Sequence, residues 1–373
     1  MIKSVSTWDE SFFKDFTQIR NDIYQINKYF IPDTLSSYEQ MLNVSTPFNQ
    51  KNIWQAWIIY DQDKVPVARV FASTRQVGDK FKQNRFLPLG FFESNNYFNA
   101  SILLKACEEW AELQGYKTIR GPIQGNVFNS SRFITKQKRK PFYGEPIHKK
   151  EYIDYFKEYG FLISQKWISA HFGFKARVIG MYDYLTKFSK SRSRQQGFKI
   201  RTMDFNKWDE EFQLIYELLM DSYIQMDDVE LISFEEFKVW SAGIKGIVEK
   251  KNCLILENKG EALGFIIAFH NLLPQIVALY KKDNLINKLR FLIAKFILKG
   301  PLLVNYLGKR QQSEGIVKGV GPKIFAKLAK NNSGYLFHNV FFGFISEHSK
   351  TMELVPKVYD SSSHYIMFEK SIS

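Results

Sequence analysis

The chain has 373 residues, 45% of them hydrophobic and 16% aromatic, enough apolar material for a large core and about two domains. With 34 Phe, 19 Tyr and 7 Trp it is excluded from the disordered class, which is poor in apolar and aromatic residues. Its formal charge is +14, which suits a polyanionic partner such as coenzyme phosphates, an acidic carrier protein, tRNA or an anionic membrane, while a lysine-rich composition without binding meaning fits equally.

The N-terminal stretch MIKSVSTWDESFFKDF has neither the apolar core nor the small-residue cleavage site of a secretory signal. Two cysteines, Cys107 and Cys253, build no disulfide framework and belong to no paired metal spacing. A reducing, cytoplasmic compartment is therefore expected, and each thiol reads as a small buried hydrophobe. The six histidines are scattered, and no metal is expected. No run reaches the ~18 apolar residues of a spanning helix. The nearest, Leu285 to Leu303, is broken by Lys288, Arg290, Lys295 and Lys299. It reads as a helix packed on the core with its lysines reaching to water, and a basic amphipathic helix on a membrane surface is the alternative.

Along the chain, Gln55 to Thr74 is an apolar run, a polar turn and a second apolar run, the pattern of a β-hairpin. A strand over Phe86 to Ser94 precedes a helix in SILLKACEEWAELQGYK, where Ile102, Leu103, Ala106, Trp110 and Leu113 recur at near-helical spacing and Gly115 stands where a helix ends. TIRGPI is the next strand. Thr186 to Gly197 is polar and basic and reads as a linker, after which FKIRTMDF resumes as a strand and WDEEFQLIYELLMDSYIQM as a helix. The earlier pattern then recurs: a hairpin over Cys253 to Asn271, a strand over Pro301 to Lys309, a helix in GPKIFAKLAKNNSG and a strand in YLFHNVFFGFI. An apolar insertion separates the second hairpin from its third strand. Two halves follow, 1–190 and 198–373, with a boundary near Gly197.

Hairpin, strand, helix and strand, twice over, resemble the core of the GCN5-related N-acetyltransferase (GNAT) superfamily. The chain is similar over most of its length to bacterial tandem GNAT-like proteins. The residues that carry this are Thr46-Pro47-Phe48, Leu89-Gly90-Phe91-Phe92-Glu93, Arg120-Gly121-Pro122, Tyr155 with Tyr159-Gly160-Phe161, the IRTMDF restart and the LLVNYLG strand. The resemblance implies an α+β fold of two tandem GNAT-like domains, each a mixed, mainly antiparallel sheet flanked by helices. It also implies an acyl donor, acyl-CoA or acetyl-CoA or the phosphopantetheine of an acyl carrier protein, lying between splayed third and fourth core strands. Its pyrophosphate would rest on free amides at the N-terminus of the following helix, where glycines permit close approach.

The first half offers Glu93 to Ser101 at that place, with no glycine and a carboxylate at its start, so a pyrophosphate would be repelled. The second half offers Ile316-Val317-Lys318-Gly319-Val320-Gly321, with Lys323 beyond. The loop and the resemblance together imply donor binding at Leu307, Gly308, Lys318, Gly319, Val320, Gly321, Lys323 and Ser349. Ile316 and Pro322 depart from the family pattern, which usually has Arg or Gln at the first position.

Acyl transfer to an amine needs a polarised thioester carbonyl, a proton for the leaving thiolate and a base for the amine proton. The resemblance places carbonyl polarisation on the backbone of Asn305 to Gly308. Tyr359 or Tyr365 is the expected acid and His338 or Glu347 the expected base, although for each a structural role in core or strand is the plainer reading. In the first half, Gln124, Asn126, Asn129 and Arg132 lie in a polar loop beside a Gly-Pro turn and are expected to line an acceptor site between the halves. KQKRKPFYG is a basic run that reads as a solvated face or a contact for tRNA or a carrier protein. The leading expectation is an N-acyltransferase acting on a small-molecule amine. The alternatives are an aminoacyl-tRNA-dependent transferase built like the Fem ligases and an inactive GNAT pair that serves as a scaffold.

Overall fold

The computed structural model describes residues 1–74, 86–126, 128–129, 131–173, 187, 198–223, 232–310, 320–332, 339–347 and 359–372. In the first half the chain runs through β1 (Ile2–Val5), α1 (Glu10–Tyr24), α2 (Leu35–Leu42), α3 (Pro47–Lys51), β2 (Trp54–Tyr60), β3 (Pro66–Ser73), β4 (Leu87–Ser94), α4 (Tyr97–Leu113), β5 (Thr118–Gly121), β6 (Phe133–Lys136), α5 (Glu151–Glu158) and β7 (Leu162–Phe172). The second half contains β8 (Phe198–Thr202), α6 (Trp208–Tyr223), α7 (Phe234–Ser241), α8 (Ile244–Ile247), β9 (Cys253–Asn258), β10 (Glu261–His270), α9 (Leu273–Lys281) and α10 (Leu285–Ile293). There follow β11 (Leu302–Lys309), α11 (Val320–Asn332), β12 (Val340–Ser346) and β13 (Ser361–Ser371). The expected repeat of hairpin, strand, helix and strand is present in both halves. Of the expected linker, only Lys187 lies among the described residues, and the boundary near Gly197 lies outside them.

Local chemistry sets the element ends. Asp9 accepts the N–H of Phe12 at 2.9 Å and Asn96 that of Asn99 at 2.8 Å, so α1 and α4 begin on side-chain caps. Helix α4 buries Leu103, Leu104, Cys107, Trp110 and Ala111 on one face and stops before Gly115, whose φ of +79° suits a residue without Cβ. Both cysteines are buried, and burial pushes their thiols up, Cys253 to about 12.

One sheet crosses the molecule in the order β1-β2-β3-β4-β5-β13-β7-β12-β11-β10-β9-β8, with β6 also paired to β13. Among the described pairs only β4 with β5 and β11 with β12 are parallel, so the sheet is mixed and mainly antiparallel. The last strand of the chain, β13, is seated between two strands of the first half, Phe368 opposite Gly121 and Tyr365 opposite Trp167. Strand β7 in turn pairs with β12, His171 opposite Phe341. Helices cover both faces. Phe13, Phe16 and Trp54 are fully buried on the α1 side of the first half, and a residue of this size gains ~2–3 kcal/mol on leaving water.

Two sequence expectations change here. The insertion forms a hairpin of α9 and α10 that ends in a π-helical turn, Ala294–Leu298, and Leu302 and Leu303 already belong to β11. Helix α9 packs Leu273, Ile276 and Val277 inward, but α10 and the turn after it leave most of their apolar residues in water: Leu285, Ile286, Leu289, Leu292, Phe296, Ile297 and Leu298 are exposed, while Asn287, Phe291 and Ala294 are turned inward. In the basic run KQKRKPFYG, Lys136, Gln137, Lys138 and Lys140 are exposed, as a solvated face requires, but Arg139 and the aromatic end are packed. Phe142 is fully buried in the core of the second half, Arg139 lies 4.5 Å from the Phe341 ring, and Asn271 accepts the Tyr143 N–H at 3.0 Å. The run joins the halves.

Candidate functional site

The two parallel strand pairs separate after a few residues, and what enters the gap differs. In the first half β4 and β5 pair at Leu87 with Ile119 and Pro88 with Arg120, then diverge. The Ile123 N–H donates to the Leu89 carbonyl at 2.7 Å, and its own carbonyl lies 1.9 Å from where a Cβ on Gly90 would stand. Only glycine allows this approach. The Phe91 N–H, in the position of a carbonyl-polarising donor, gives its hydrogen to the Gln124 Oε1. A side chain of this chain thus occupies that strand's donor.

In the second half β11 and β12 pair from Leu302 with Val340 to Val304 with Phe342 before they separate. Asn305 comes next, and its Oδ1 is buried without a hydrogen-bond partner among the described residues. Leu307 is half-buried opposite Ile266, and Gly308 lies against Phe265 and Ser222 where a Cβ would collide. The helix α11 opens at Val320, so Gly321 falls in its first turn. Lys318, Gly319 and Ser349 lie outside the described residues, as does the side chain of Val320. Lys323 holds its ammonium 5.4 Å from the Phe198 ring.

Between the halves lies a cavity of about 570 Å³. From the first half Gln124, Asn129 and Arg132 line it, and from the second Trp240, Asn305, Tyr306 and Phe344. The Asn129 amide donates to the Gln124 carbonyl at 2.9 Å. The Arg132 guanidinium stands 4.4 Å from the Trp167 ring and 4.9 Å from that of Phe344. Asn126 is buried behind this wall and does not line it; its Oδ1 accepts the Phe128 N–H at 3.0 Å and its carbonyl the Ser131 hydroxyl at 2.9 Å, which shapes the turn.

The opposite wall is ionic. Arg20 donates to Asp33 at 2.5 Å and lies 3.3 Å from Glu93, while the fully buried Arg69 reaches Asp33 at 3.0 Å. Tyr24 and Tyr152 donate to Glu93 at 2.8 and 2.9 Å. Burial would raise both carboxyls. It prevails at Glu93, whereas at Asp33 it is outweighed by Arg20 and Arg69, which hold the carboxyl down at about 2. His148 is held down at about 4 by burial, and its ring is fixed as one tautomer: Nδ1 donates to the Lys149 carbonyl at 2.9 Å and Nε2 accepts the Ile134 N–H at 2.6 Å.

The expected acids and bases are placed apart. Tyr365 is fully buried; its hydroxyl donates to Glu145, itself paired with Arg139 at 3.0 Å, so it reaches the cavity only through Glu145. Tyr359 is half-buried against the cluster that contains Ile324, Phe325 and Leu328 of α11. Glu347 is exposed at the end of β12, its N–H bonded to the Lys166 carbonyl at 3.1 Å. His338 lies outside the described residues. Sequence reasoning missed the ionic wall. Glu93 stood in view at the end of an apolar strand, but its partners lie about 60 to 75 positions away in the chain. Among the described residues no group of three or more His, Cys, Asp or Glu could hold a metal ion.

Splayed parallel strands, each followed by a helix, within a mixed sheet define the fold of the GCN5-related N-acetyltransferases. With two such units in one chain it is the tandem form, and the solved structures agree. The chain is similar to a tandem GNAT protein from the clavulanic acid biosynthesis pathway, with a TM-score of 0.51, 10% identity and coverage of 100% of this chain and 99% of that one. It is similar also to an Enterococcus faecalis protein described as a probable N-acyltransferase (TM-score 0.54, 10% identity, 100% and 73% coverage). A third, from Kribbella flavida, is a GCN5-related N-acetyltransferase (0.52, 10%, 100% and 71%). No family model and no curated protein matches the sequence.

Proposed function

We propose that the protein is an N-acyltransferase that moves an acyl group from coenzyme A, or from the phosphopantetheine of an acidic carrier protein, to an amine of a small molecule. The observation that carries this reading is Asn305. It stands where β11 leaves β12 and lines the cavity, and its Oδ1, buried beside Gly343, is an acceptor without a partner among the described residues. In this reading the donor enters between β11 and β12, with its pyrophosphate at the start of α11 near Lys318, Gly319, Gly321 and Lys323 and its upper arm near Leu307, Gly308 and Ser349. The amine enters from the cavity, held by Asn305 and facing Gln124, Asn129 and Arg132.

The amine nitrogen attacks the thioester carbonyl carbon, the C–N bond forms, the C–S bond breaks, and the thiolate takes a proton. Tyr359 is the acid of this reading, since it packs on the α11 side of the sheet. Glu347 and His338 are the base candidates, and Tyr365 positions Glu145. The neighbours named as N-acetyltransferases support acyl transfer as the class of reaction. The test is calorimetric titration with acetyl-, octanoyl- and palmitoyl-coenzyme A, with Gly321→Glu and Asn305→Ala beside the unaltered protein. Donor binding should vanish in Gly321→Glu and persist in Asn305→Ala, whose turnover should fall by roughly 10- to 100-fold, the cost of ~1–3 kcal/mol for a lost hydrogen bond to a buried group. Binding of no acyl-coenzyme A, with protection of aminoacyl-tRNA from hydrolysis, would move the protein to the tRNA-dependent class.

A further inference from the structure

The α9–α10 hairpin presents an apolar face to solvent. Leu285 is 81% exposed, Leu298 72% and Ile297 68%, and Ile286, Leu289, Leu292 and Phe296 join them. Positions 285, 289, 292 and 296 follow the spacing of one helical face. Single exposed leucines are ordinary on a protein surface, whereas a contiguous group on one helix marks an interaction site.

The face is held outward by a built scaffold. Asn284 caps α10 by accepting the Asn287 N–H at 2.9 Å. Asn287, 9% exposed, donates to the carbonyls of Ala278 at 3.0 Å and Lys282 at 2.9 Å and so clasps the two helices together. Lys295 fastens the far end to α8 through the Gly246 carbonyl at 2.5 Å. With Asn287, Phe291 and Ala294 on the inner side, the leucines lie on the outer one.

Cations edge this face. Lys281, Lys282, Lys288 and Arg290 are exposed, and Asp283, 3.0 Å from Lys288, is the single acid between positions 280 and 300. An acidic protein would need an apolar patch of matching shape inside its ring of carboxylates to answer both. A bilayer with anionic headgroups answers both, since acyl chains take the leucines and phosphates take the lysines. Tyr280, 56% exposed on the same hairpin, also lines the cavity, as do Leu273 and the exposed Val239. A membrane against this face therefore lies beside the cavity wall.

We propose that the α9–α10 hairpin docks the protein in the plane of an anionic membrane surface, with Leu285, Leu289, Leu292 and Phe296 in the acyl boundary and Lys281, Lys282 and Arg290 at the headgroups. This stands whether or not the protein transfers acyl groups. The experiment is co-sedimentation of the full chain with unilamellar vesicles of phosphatidylcholine alone and of phosphatidylcholine with 30% phosphatidylglycerol. The expected result is at least tenfold tighter partition into the anionic vesicles, weakened by 0.5 M salt. Leu289→Glu with Phe296→Glu should abolish it, and Lys281→Gln, Lys282→Gln and Arg290→Gln together should reduce it about tenfold, with unchanged melting temperatures because these side chains are exposed. Absence of partition, or partition indifferent to both variants, overturns the proposal. So does a dimer seen by light scattering that Leu289→Glu disperses while vesicles bind nothing, or capture of an acidic carrier protein in place of vesicles.

Discussion

At the scale of single residues, the cavity is defined by groups that burial and hydrogen bonds have tuned. His148 is the clearest to test. The unfolded imidazole takes a proton below about 6.5, while the folded one, with Nε2 committed to the Ile134 N–H, resists down to about 4. Between these values the unfolded state binds more protons, so stability falls as the pH is lowered through the window, by about 3 kcal/mol for this group. In His148→Asn, urea denaturation at pH 7 and pH 4.5 should show a correspondingly smaller difference; an unchanged difference would mean that the imidazole is freely hydrated. Residues of this kind were only partly legible. Gln124, Asn129 and Arg132 could be suspected because amides beside a Gly-Pro turn are local in the chain. Asp33, Glu93, Arg20 and Arg69 could not, because their pairings join α1, β3, β4 and the α1–α2 connection, and a carboxylate does not announce a distant arginine.

At the scale of elements, periodicity was a sound guide. The hairpins β2–β3 and β9–β10, the helix α4 and the strand β11 lie close to where alternation, helical spacing and Gly115 put them. Partnership was not legible, because the final strand pairs with β5 and β7 more than 180 residues before it. A fragment of residues 1–190 therefore lacks the strand between β5 and β7, and should show no cooperative thermal transition by circular dichroism. Appending residues 359–373 through a flexible linker should restore one. A cooperative transition in the bare fragment would show that the first half closes its sheet without β13. The α10 helix teaches the same lesson from the other side. Its leucines satisfied a core pattern, yet Asn287, Phe291 and Ala294 are the residues on its inner side, and Asn287 clasps it onto α9.

At the scale of the whole molecule, a single sheet joins the halves, and the loop carrying Arg139, Phe142 and Glu145 is packed across them. Two halves linked in this way should melt together. Differential scanning calorimetry is expected to show one transition with equal calorimetric and van't Hoff enthalpies. Two resolved transitions would mean that the shared strands contribute little to cooperativity. The same joining creates the cavity, whose walls come from both halves, so any ligand bound there should raise the melting temperature of the entire molecule.

The amino-acid sequence by itself determined the elements and their repetition, because hydrophobic periodicity, caps and glycines act within a few residues of where they stand. It also determined that the first half's Glu93-to-Ser101 loop has no glycine, since that is a local property. Only the tertiary structure decided that β13 completes the first half, that Gln124 fills the β4 donor, that the Asn305 Oδ1 is buried without a partner among the described residues and that the α10 leucines face water. Each depends on which surfaces meet, and pairing across hundreds of residues is settled by the packing of the whole chain.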